Sequence, residues 1–250
     1  MPVKKRRKMS GMAWVFIALL VFFVGAAAFT AIISPVRNRI SNIHVATNKQ
    51  SYTGTDGWEN VEVGPGVTFD SVSLPGGPAD KAGLVGGDVI MNFDGRPVMN
   101  KDDMEKVMEQ MPPGKTVEVV YMRDGEVHNT KLTTISQAEF KHLENAFDDR
   151  PEGRAQFGYD SDDVERVQIP GTKMFGVRLD DVYSSRPADI AGVKKGDIVI
   201  EFDGIPIRTR GELLMRVNRA VPYSTIKLVV MRGGEDKLEK VEIPVKLGRR

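Results

Sequence analysis

The sequence has 250 residues, enough for one or two domains, and its 35 basic and 34 acidic residues give a net charge of +1. The first eight residues carry five of the basic side chains, so the remainder is slightly acidic, which argues against a nucleic-acid-binding protein because phosphate recognition needs a basic face. The absence of cysteine excludes a disulfide framework and a thiol-ligated metal site.

The N-terminal segment combines a basic cluster with a long apolar run. Residues 1–11 contain five consecutive basic residues, and the uncharged run at 12–33 has about 22 residues, enough to cross the hydrocarbon core of a bilayer. Positive charge before the run favours a cytoplasmic tail at 1–11. The sequence therefore predicts a single-pass signal anchor at 12–33 in the cytoplasmic (inner) membrane and a tether at 34–47. The body would lie in the periplasm or outside the cell.

A cleaved signal peptide is the alternative interpretation of the same segment. Ala26, Ala27 and Ala28 supply small residues at a spacing that suits cleavage after a shorter apolar core. The apolar run continues past that point, from Phe29 to Ile33, and this continuation favours the uncleaved anchor.

An internal repeat dominates the rest of the chain. The segment from Pro78 to Ile90 returns 109 positions later, from Pro187 to Val199. The match continues without a gap to Arg123 in the first copy and Arg232 in the second. A long ungapped self-match means that one fold is used twice. We therefore predict two similar domains, at 48–135 and 150–248, joined by a linker at 136–149.

Each copy contains the same predicted elements. A short helix follows a proline and ends at a glycine, Gly83 in the first copy and Gly192 in the second. A strand of branched apolar residues leads into an Asp-Gly turn, and a second helix begins at a capping residue, Asn100 or Thr209. A strand pair closes each copy. This order predicts an α+β fold in which each domain is a small β-barrel with two helices.

The linker contains a short amphipathic pattern. Phe140, Leu143 and Phe147 share one helical face, and the residues at 149–153 then break the pattern. Two interpretations stay open. The segment is either a connecting helix that packs its apolar face onto one domain, or a helix through which two chains dimerise.

Candidate catalytic residues do not form a recognisable set. Ser224 and Lys227 match the Ser-x-x-Lys pattern of penicillin-binding enzymes, but that chemistry needs a helix and this stretch is predicted to start a strand. The histidines lack a His-Glu-x-x-His zinc motif. The chain also lacks the serine motif of a trypsin-like protease and the length for its separate barrel. We therefore predict a protein that is not an enzyme and that uses no metal or cofactor.

The combined pattern of Ala-Gly, Gly-Asp-Ile/Val, a Phe-Asp-Gly-x-Pro hairpin and a capped helix resembles the PDZ domains of bacterial envelope proteins. Such domains occur in periplasmic trypsin-like stress proteases, and here two copies stand without a protease domain. The resemblance implies a groove between a strand edge and a helix that takes an extended peptide by main-chain pairing. It also implies a turn whose backbone amides hold a free C-terminal carboxylate.

In the second domain, the resemblance places that turn at 154–159, where the sequence fits the expected pattern of an aromatic residue, a glycine and an apolar residue. The groove would be completed by apolar side chains of the second helix. The residues expected to bind peptide in this domain are Arg154, Gln156, Phe157, Gly158, Tyr159, Leu213 and Val217.

In the first domain, the turn departs from the pattern because threonines replace the expected apolar residues. Methionines of the second helix are flexible and suit an adaptable pocket. The residues expected to bind peptide in this domain are Tyr52, Thr53, Gly54, Thr55, Met104, Met108 and Met111. We expect this domain to be the weaker and less carboxylate-dependent of the two.

These features predict a membrane-anchored, non-catalytic scaffold that captures C-termini or exposed strands of envelope proteins, in protein quality control or secretion. Two alternatives stay open. One is a structural component of a secretion or envelope assembly, since a short cytoplasmic tail, one span and a terminal PDZ domain resemble the coupling subunit of type II secretion. The other is a regulatory adaptor for a separate envelope protease.

Overall fold

The computed structural model of the protein describes residues 50–159, 162–234 and 237–250. The predicted tail at 1–11, the predicted transmembrane helix at 12–33 and the predicted tether at 34–47 lie outside these residues. Among the helices in the described ranges, none is both long and apolar enough to span a bilayer.

The first domain combines strands of two to eight residues with two helices. The elements in chain order are β1 (Ser51–Tyr52), β2 (Thr55–Asp56), β3 (Glu59–Asn60), β4 (Val67–Thr68), β5 (Ser71–Val72), α1 (Pro78–Lys81), β6 (Val89–Phe93), β7 (Arg96–Pro97), α2 (Lys101–Glu109), β8 (Thr116–Arg123), β9 (Glu126–Thr133) and β10 (Ile135–Ser136). Helix α3 (Gln137–Asp148) then leads to the second domain.

From its first helix onward, the second domain repeats this order, with longer closing strands. Its elements are β11 (Ala155–Gln156), β12 (Val164–Gln168), β13 (Phe175–Leu179), α4 (Pro187–Ile190), β14 (Ile198–Phe202), β15 (Ile205–Pro206), α5 (Arg210–Arg219), β16 (Thr225–Gly234), β17 (Lys237–Lys246) and β18 (Gly248–Arg249).

Both domains have the same sheet topology. The main sheet runs β3-β4-β6-β8-β9 in the first domain and β12-β13-β14-β16-β17 in the second, with β7 and β15 added to the side of β6 and β14. The strands β1 and β2, each of two residues, pair separately with β10 and β5. The main sheets therefore stay open, and the prediction of a small β-barrel in each domain is wrong. The mixed α/β composition, rich in strands, is confirmed.

Local signals in the sequence explain where the helices begin and end. The Asn100 side chain accepts a hydrogen bond from the Asp103 amide at 3.0 Å, and the Thr209 hydroxyl accepts one from the Glu212 amide at 3.1 Å. Gly83 and Gly192, which follow α1 and α4, have φ values of 71° and 87°. The predicted caps and stops are therefore confirmed.

Buried and exposed side chains alternate along the strands, and the buried ones form the core of each domain. Val117, Val119 and Tyr121 of β8 are buried, while the residues between them are exposed or half-buried. Because successive side chains of a strand point to opposite faces, these three line one face of the sheet. They belong to the same apolar cluster as Met104 and Val107 of α2. The sheet therefore fixes the position of α2.

Helix α5 belongs to the second domain and also contacts the first. Glu212 and Arg216 lie four residues apart on one face of this helix. The Glu212 carboxylate is fully buried and accepts hydrogen bonds from the amides of Val72, at 3.0 Å, and Gly86, at 2.8 Å, both in the first domain. Arg216 donates to the other carboxylate oxygen at 2.6 Å. This buried charge is therefore compensated from both domains.

Ion pairs extend the contact. Asp80 of the first domain lies 3.2 Å from Arg216 and 3.0 Å from Arg219, and Arg208 forms a two-pronged pair with Asp124 at 2.7 Å for each bond. We call these five residues, together with Glu212, the domain junction. Apart from the Glu212–Arg216 pair within α5, each of these contacts joins groups of different domains, so the junction holds the two domains in one arrangement.

Acid should weaken the domain junction through Asp80. Burial acts to raise the pKa of Asp80, but the Gly76 amide and the Arg219 and Arg216 guanidinium groups outweigh it and hold this pKa below its usual value of 3.8. A carboxylate with a lowered pKa contributes stability that is present above its unfolded-state pKa and is lost as pH falls through its folded-state pKa.

We therefore expect Asp80→Asn to be less stable than the wild type at pH 7, and this difference to shrink below about pH 4. Urea unfolding of both proteins at pH 7 and pH 3 measures the two differences. A difference of the same size at both pH values would show that the Asp80 charge does not stabilise the junction.

Candidate functional site

A cavity of about 340 Å³ opens in the first domain between the loop at 50–55 and helix α2. Six residues predicted from the sequence line it: Tyr52, Thr53, Gly54, Thr55, Met104 and Met108. Six further lining residues were not predicted: Gln50, Ser51, Trp58, Lys101, Glu105 and Phe140. The volume lies at the lower end of the range found for ligand pockets in proteins.

The backbone of this loop is turned so that two amides stay available. The Thr53 carbonyl accepts a hydrogen bond from the Ala79 amide at 2.8 Å, and the Gly54 carbonyl accepts one from the Ser73 amide at 3.0 Å. In a trans peptide the N–H points opposite to the C=O. The N–H groups of Gly54 and Thr55 therefore point away from α1 and β5. Two adjacent amides with this orientation form a binding site for an anion.

The walls of the cavity are mostly apolar. Met104 is buried and Met108 is half-buried on α2. The rings of Tyr52 and Phe140 lie 4.7 Å apart, centroid to centroid, and Trp58 packs on the core. Methionine and aromatic side chains together give a surface that suits an apolar side chain of a ligand.

The two threonines that break the expected apolar pattern form a hydrogen bond with each other. The hydroxyl oxygens of Thr53 and Thr55 lie 2.7 Å apart and share a hydrogen bond. A polar group that is paired in this way costs far less to bury than an unpaired one. The substitution of threonine for apolar residues is therefore compatible with an apolar cavity.

The rim of the cavity carries a weak ion pair. Lys101 and Glu105 are one turn apart on α2, with 3.9 Å between the ammonium and a carboxylate oxygen. Both side chains are largely exposed, and exposed pairs of this kind contribute little to stability. Lys101 is therefore able to exchange Glu105 for a negatively charged ligand group at small cost.

Met111 has a different place from the other two methionines of the prediction. It lies just beyond the end of α2, is buried and belongs to the core of the first domain. The structure therefore brings Met104 and Met108 to the cavity and leaves Met111 in the core.

The loop of the second domain has the same backbone arrangement. The Phe157 carbonyl accepts from the Ala188 amide at 2.8 Å, and the Gly158 carbonyl accepts from the Tyr183 amide at 3.0 Å. Phe157 and Tyr159 are buried in the core, with their ring centroids 5.6 Å apart. Burial also raises the pKa of the Tyr159 hydroxyl to about 12. The aromatic side chains that were predicted to flank a groove therefore pack inside the domain.

The other residues predicted in the second domain are spread over its surface and core. Leu213 and Val217 of α5 are buried in the core. Arg154 lies 3.4 Å from Asp148 at the end of α3, and Gln156 accepts a hydrogen bond from Arg186 at 3.4 Å. Peptide binding by these residues stays a prediction.

Ser224 and Lys227 have separate partners in the structure. The Ser224 hydroxyl donates to the Val221 carbonyl at 2.7 Å, just before β16 begins. The Lys227 ammonium lies 3.8 Å from carboxylate oxygens of both Glu201 and Glu242. Each side chain is therefore engaged by a different neighbour, and the predicted strand start is confirmed.

A family model described as PDZ domain matches the chain twice, at residues 50–134 and 142–245. Among curated proteins, the magnetosome formation protease MamE of Magnetospirillum gryphiswaldense is 27% identical over 207 residues, which cover 71% of this chain and 27% of that protein. A probable periplasmic serine endoprotease, DegP-like, from Rhizobium meliloti is 24% identical over 214 residues, covering 78% of this chain and 42% of that protein.

This chain thus spans less than half the length of these two relatives. Among solved structures, the crystal structure of the serine endoprotease from Yersinia pestis matches 43% of this chain and 36% of that chain, with 26% identity and a TM-score of 0.31.

Proposed function

Because this chain belongs to the PDZ domain family, we propose that its first domain binds the extended end of another protein in the cavity beside α2. The observation that carries this proposal is the loop at 52–55. Its carbonyl groups are held by Ala79 and Ser73, so the amides of Gly54 and Thr55 are free to meet a ligand at an apolar cavity.

The mode of binding follows from the strand beside the loop. In the part of the chain that the structure describes, β2 pairs with β5 alone, so its other edge is open to a further strand. A peptide added there gains main-chain hydrogen bonds, and its terminal carboxylate accepts from the two loop amides. Its last side chain enters the cavity beside Met104 and Met108.

We further propose that the chain holds its ligand without cleaving it and is anchored to the membrane through residues 12–33. The support for the first point is the separate engagement of Ser224 and Lys227. The support for the second is the sequence of 1–33, a basic cluster before an apolar run. A relative named as periplasmic supports domains that face the periplasm.

A regulatory adaptor for a separate protease is the second candidate. The observation that favours it is that both relatives are named as proteases, while this chain spans less than half the length of either. Isolation of the tagged chain from cells, followed by a casein-cleavage assay, tests it. A serine protease that copurifies and that is faster in the presence of the chain would favour the adaptor over a scaffold.

Removal of the ligand's terminal charge should weaken binding to the first domain. Charge-assisted hydrogen bonds contribute about 1.5–3 kcal/mol each, so even one lost bond predicts a loss of about tenfold or more in affinity. Fluorescence anisotropy of the full-length chain, with decapeptide pools that have a free acid or an amide at the C-terminus, measures this difference.

Two matched variants locate the binding site. Met108→Asp places a charge in the cavity wall and should abolish acid-dependent binding, whereas Met215→Asp changes a half-buried methionine of α5 that lies outside this cavity. Loss of binding in Met215→Asp but not in Met108→Asp would move the site to the neighbouring cavity that Met215 lines with Thr55 and Phe140. Equal affinity for the acid and amide pools would instead show that the protein recognises internal strands.

A further inference from the structure

The cavity of the first domain has one wall that the domain itself does not supply. Phe140 lines the cavity, yet it falls in the gap between the two segments that match the PDZ domain family, 50–134 and 142–245. It comes from α3, the helix between the domains. The candidate binding site is therefore built from a domain and from its linker.

The start of α3 is fixed to the strand that leads into the loop. β10 pairs with β1, with Ser136 opposite Ser51. The same Ser136 caps α3, because its hydroxyl accepts from the Glu139 amide at 3.3 Å and its own amide donates to the Glu139 carboxylate at 2.8 Å. Such a reciprocal cap fixes the direction in which a helix leaves the preceding strand.

Phe140 is the fourth residue of this helix, so the cap at Ser136 also fixes the position of its backbone. Its ring packs against Tyr52, the first aromatic residue of the loop, at 4.7 Å between centroids. Both side chains are half-buried. An aromatic ring with few rotatable bonds, held at its base by a capped helix, is a rigid wall rather than an adaptable one. The methionines of α2 are the adaptable part of the same cavity.

We propose that Phe140 is a specificity-determining residue for the peptide site of the first domain. Its ring limits the size of the cavity and therefore sets how bulky the last apolar side chain of a ligand can be. This inference rests on the proposed peptide binding. It adds that the linker helix selects among ligands, so that residues 50–134 alone hold an incomplete site.

Phe147 provides a matched control on the same helix. It shares the half-buried apolar face of α3 and lines a second cavity of about 270 Å³, which Phe140 also borders, but it does not line the cavity of the first domain. A variant at Phe147 therefore changes the same face of the helix without changing the proposed wall.

The test compares three chains with two probes. The probes are fluorescein-labelled decapeptide pools with a free C-terminus, random at the first nine positions and ending in Leu or in Ala. We expect the full-length wild type to bind the Leu pool about tenfold more tightly than the Ala pool. Phe140→Ala should lower this ratio to about threefold or less, because Leu loses its packing against the ring while Ala is too short to reach it, and Phe147→Ala should leave the ratio unchanged.

A third variant changes the cavity in the opposite direction and retains a large aromatic ring. Phe140→Trp narrows the cavity, so it should weaken binding of the Leu pool while leaving the Ala pool within about twofold of the wild type. Thermal unfolding of each variant shows whether the fold is intact.

The role of Phe140 and the proposed peptide binding can be contradicted by different results. A wild-type ratio that persists in both Phe140 variants overturns the role of Phe140 and leaves peptide binding intact. Absence of binding to either pool in the wild type overturns both.

Discussion

Replacement of Glu212 by alanine should destabilise the two-domain body by about 3–5 kcal/mol, the range found when one partner of a buried ion pair is removed. The Glu212 carboxylate is fully buried and accepts from the amides of Val72 and Gly86 and from Arg216. Alanine leaves all three donors without this acceptor. Two of them belong to the first domain, so the loss falls on both domains at once.

Urea unfolding followed by circular dichroism measures this loss. Glu144→Ala, at an exposed position of α3, is the matched control and should change the free energy of unfolding by no more than about 0.5 kcal/mol. Glu212→Gln retains an acceptor of the same shape and should fall between the two. Similar losses in the two alanine variants would show that the buried Glu212 carboxylate adds nothing to stability beyond what an exposed glutamate adds.

The glycines of the two loops should differ strongly in their tolerance of alanine. Gly158 has a φ of 99°, and a Cβ added there would lie 2.3 Å from the Arg186 Cβ. Gly54 has a φ of 75°, but its nearest neighbour would be Pro78 at 3.5 Å, an ordinary contact. Both substitutions carry the left-handed backbone cost of about 1–2 kcal/mol. Gly158→Ala adds overpacking, for a total of about 2–5 kcal/mol.

The comparison of Gly54→Ala with Gly158→Ala therefore separates backbone strain from steric overlap, since the two loops have the same hydrogen bonds. Chemical unfolding of both variants gives the two losses. If Gly54→Ala costs as much as Gly158→Ala, the contact with Arg186 is relieved by a small movement and backbone strain alone accounts for the loss.

The parts of the fold that the sequence predicts are those set by local chemistry. The caps at Asn100 and Thr209 and the left-handed stops at Gly83 and Gly192 depend on a few neighbouring residues, and each is present as predicted. The internal repeat then extends each assignment to the second domain. That the main sheets stay open was not predictable in this way, because it depends on which short strands pair, and these are far apart in the chain.

The candidate site was predicted only in part, for a reason that concerns side-chain direction. Phe157 and Tyr159 fit a groove-lining pattern, but the same pattern fits residues that point into the core, where they lie. Phe140 was assigned to an apolar helical face, and periodicity does not say against which surface a face packs. Its place in the cavity depends on the pairing of β1 with β10, a contact between distant residues.

The domain junction was missed although its spacing is visible in the sequence. Glu212, Arg216 and Arg219 recur at helical spacing, but charged residues in such a pattern usually form a solvated face. Only the approach of the Val72 and Gly86 amides gives Glu212 its role. A buried charge that serves a second domain has no distinct signal in a single sequence.

The domain junction also has a consequence for ligands with two ends. Because ion pairs and a buried carboxylate hold the domains in one arrangement, the two amide-bearing loops are presented at a fixed separation rather than at a distribution of distances. A second binding event on such a body occurs at an effective concentration set by the ligand's own spacer. A pair of tails whose spacer matches this separation would gain the most avidity, a spacer too short to span it would gain none, and a longer flexible spacer would gain less. The protein would then select partners by the distance between their two tails.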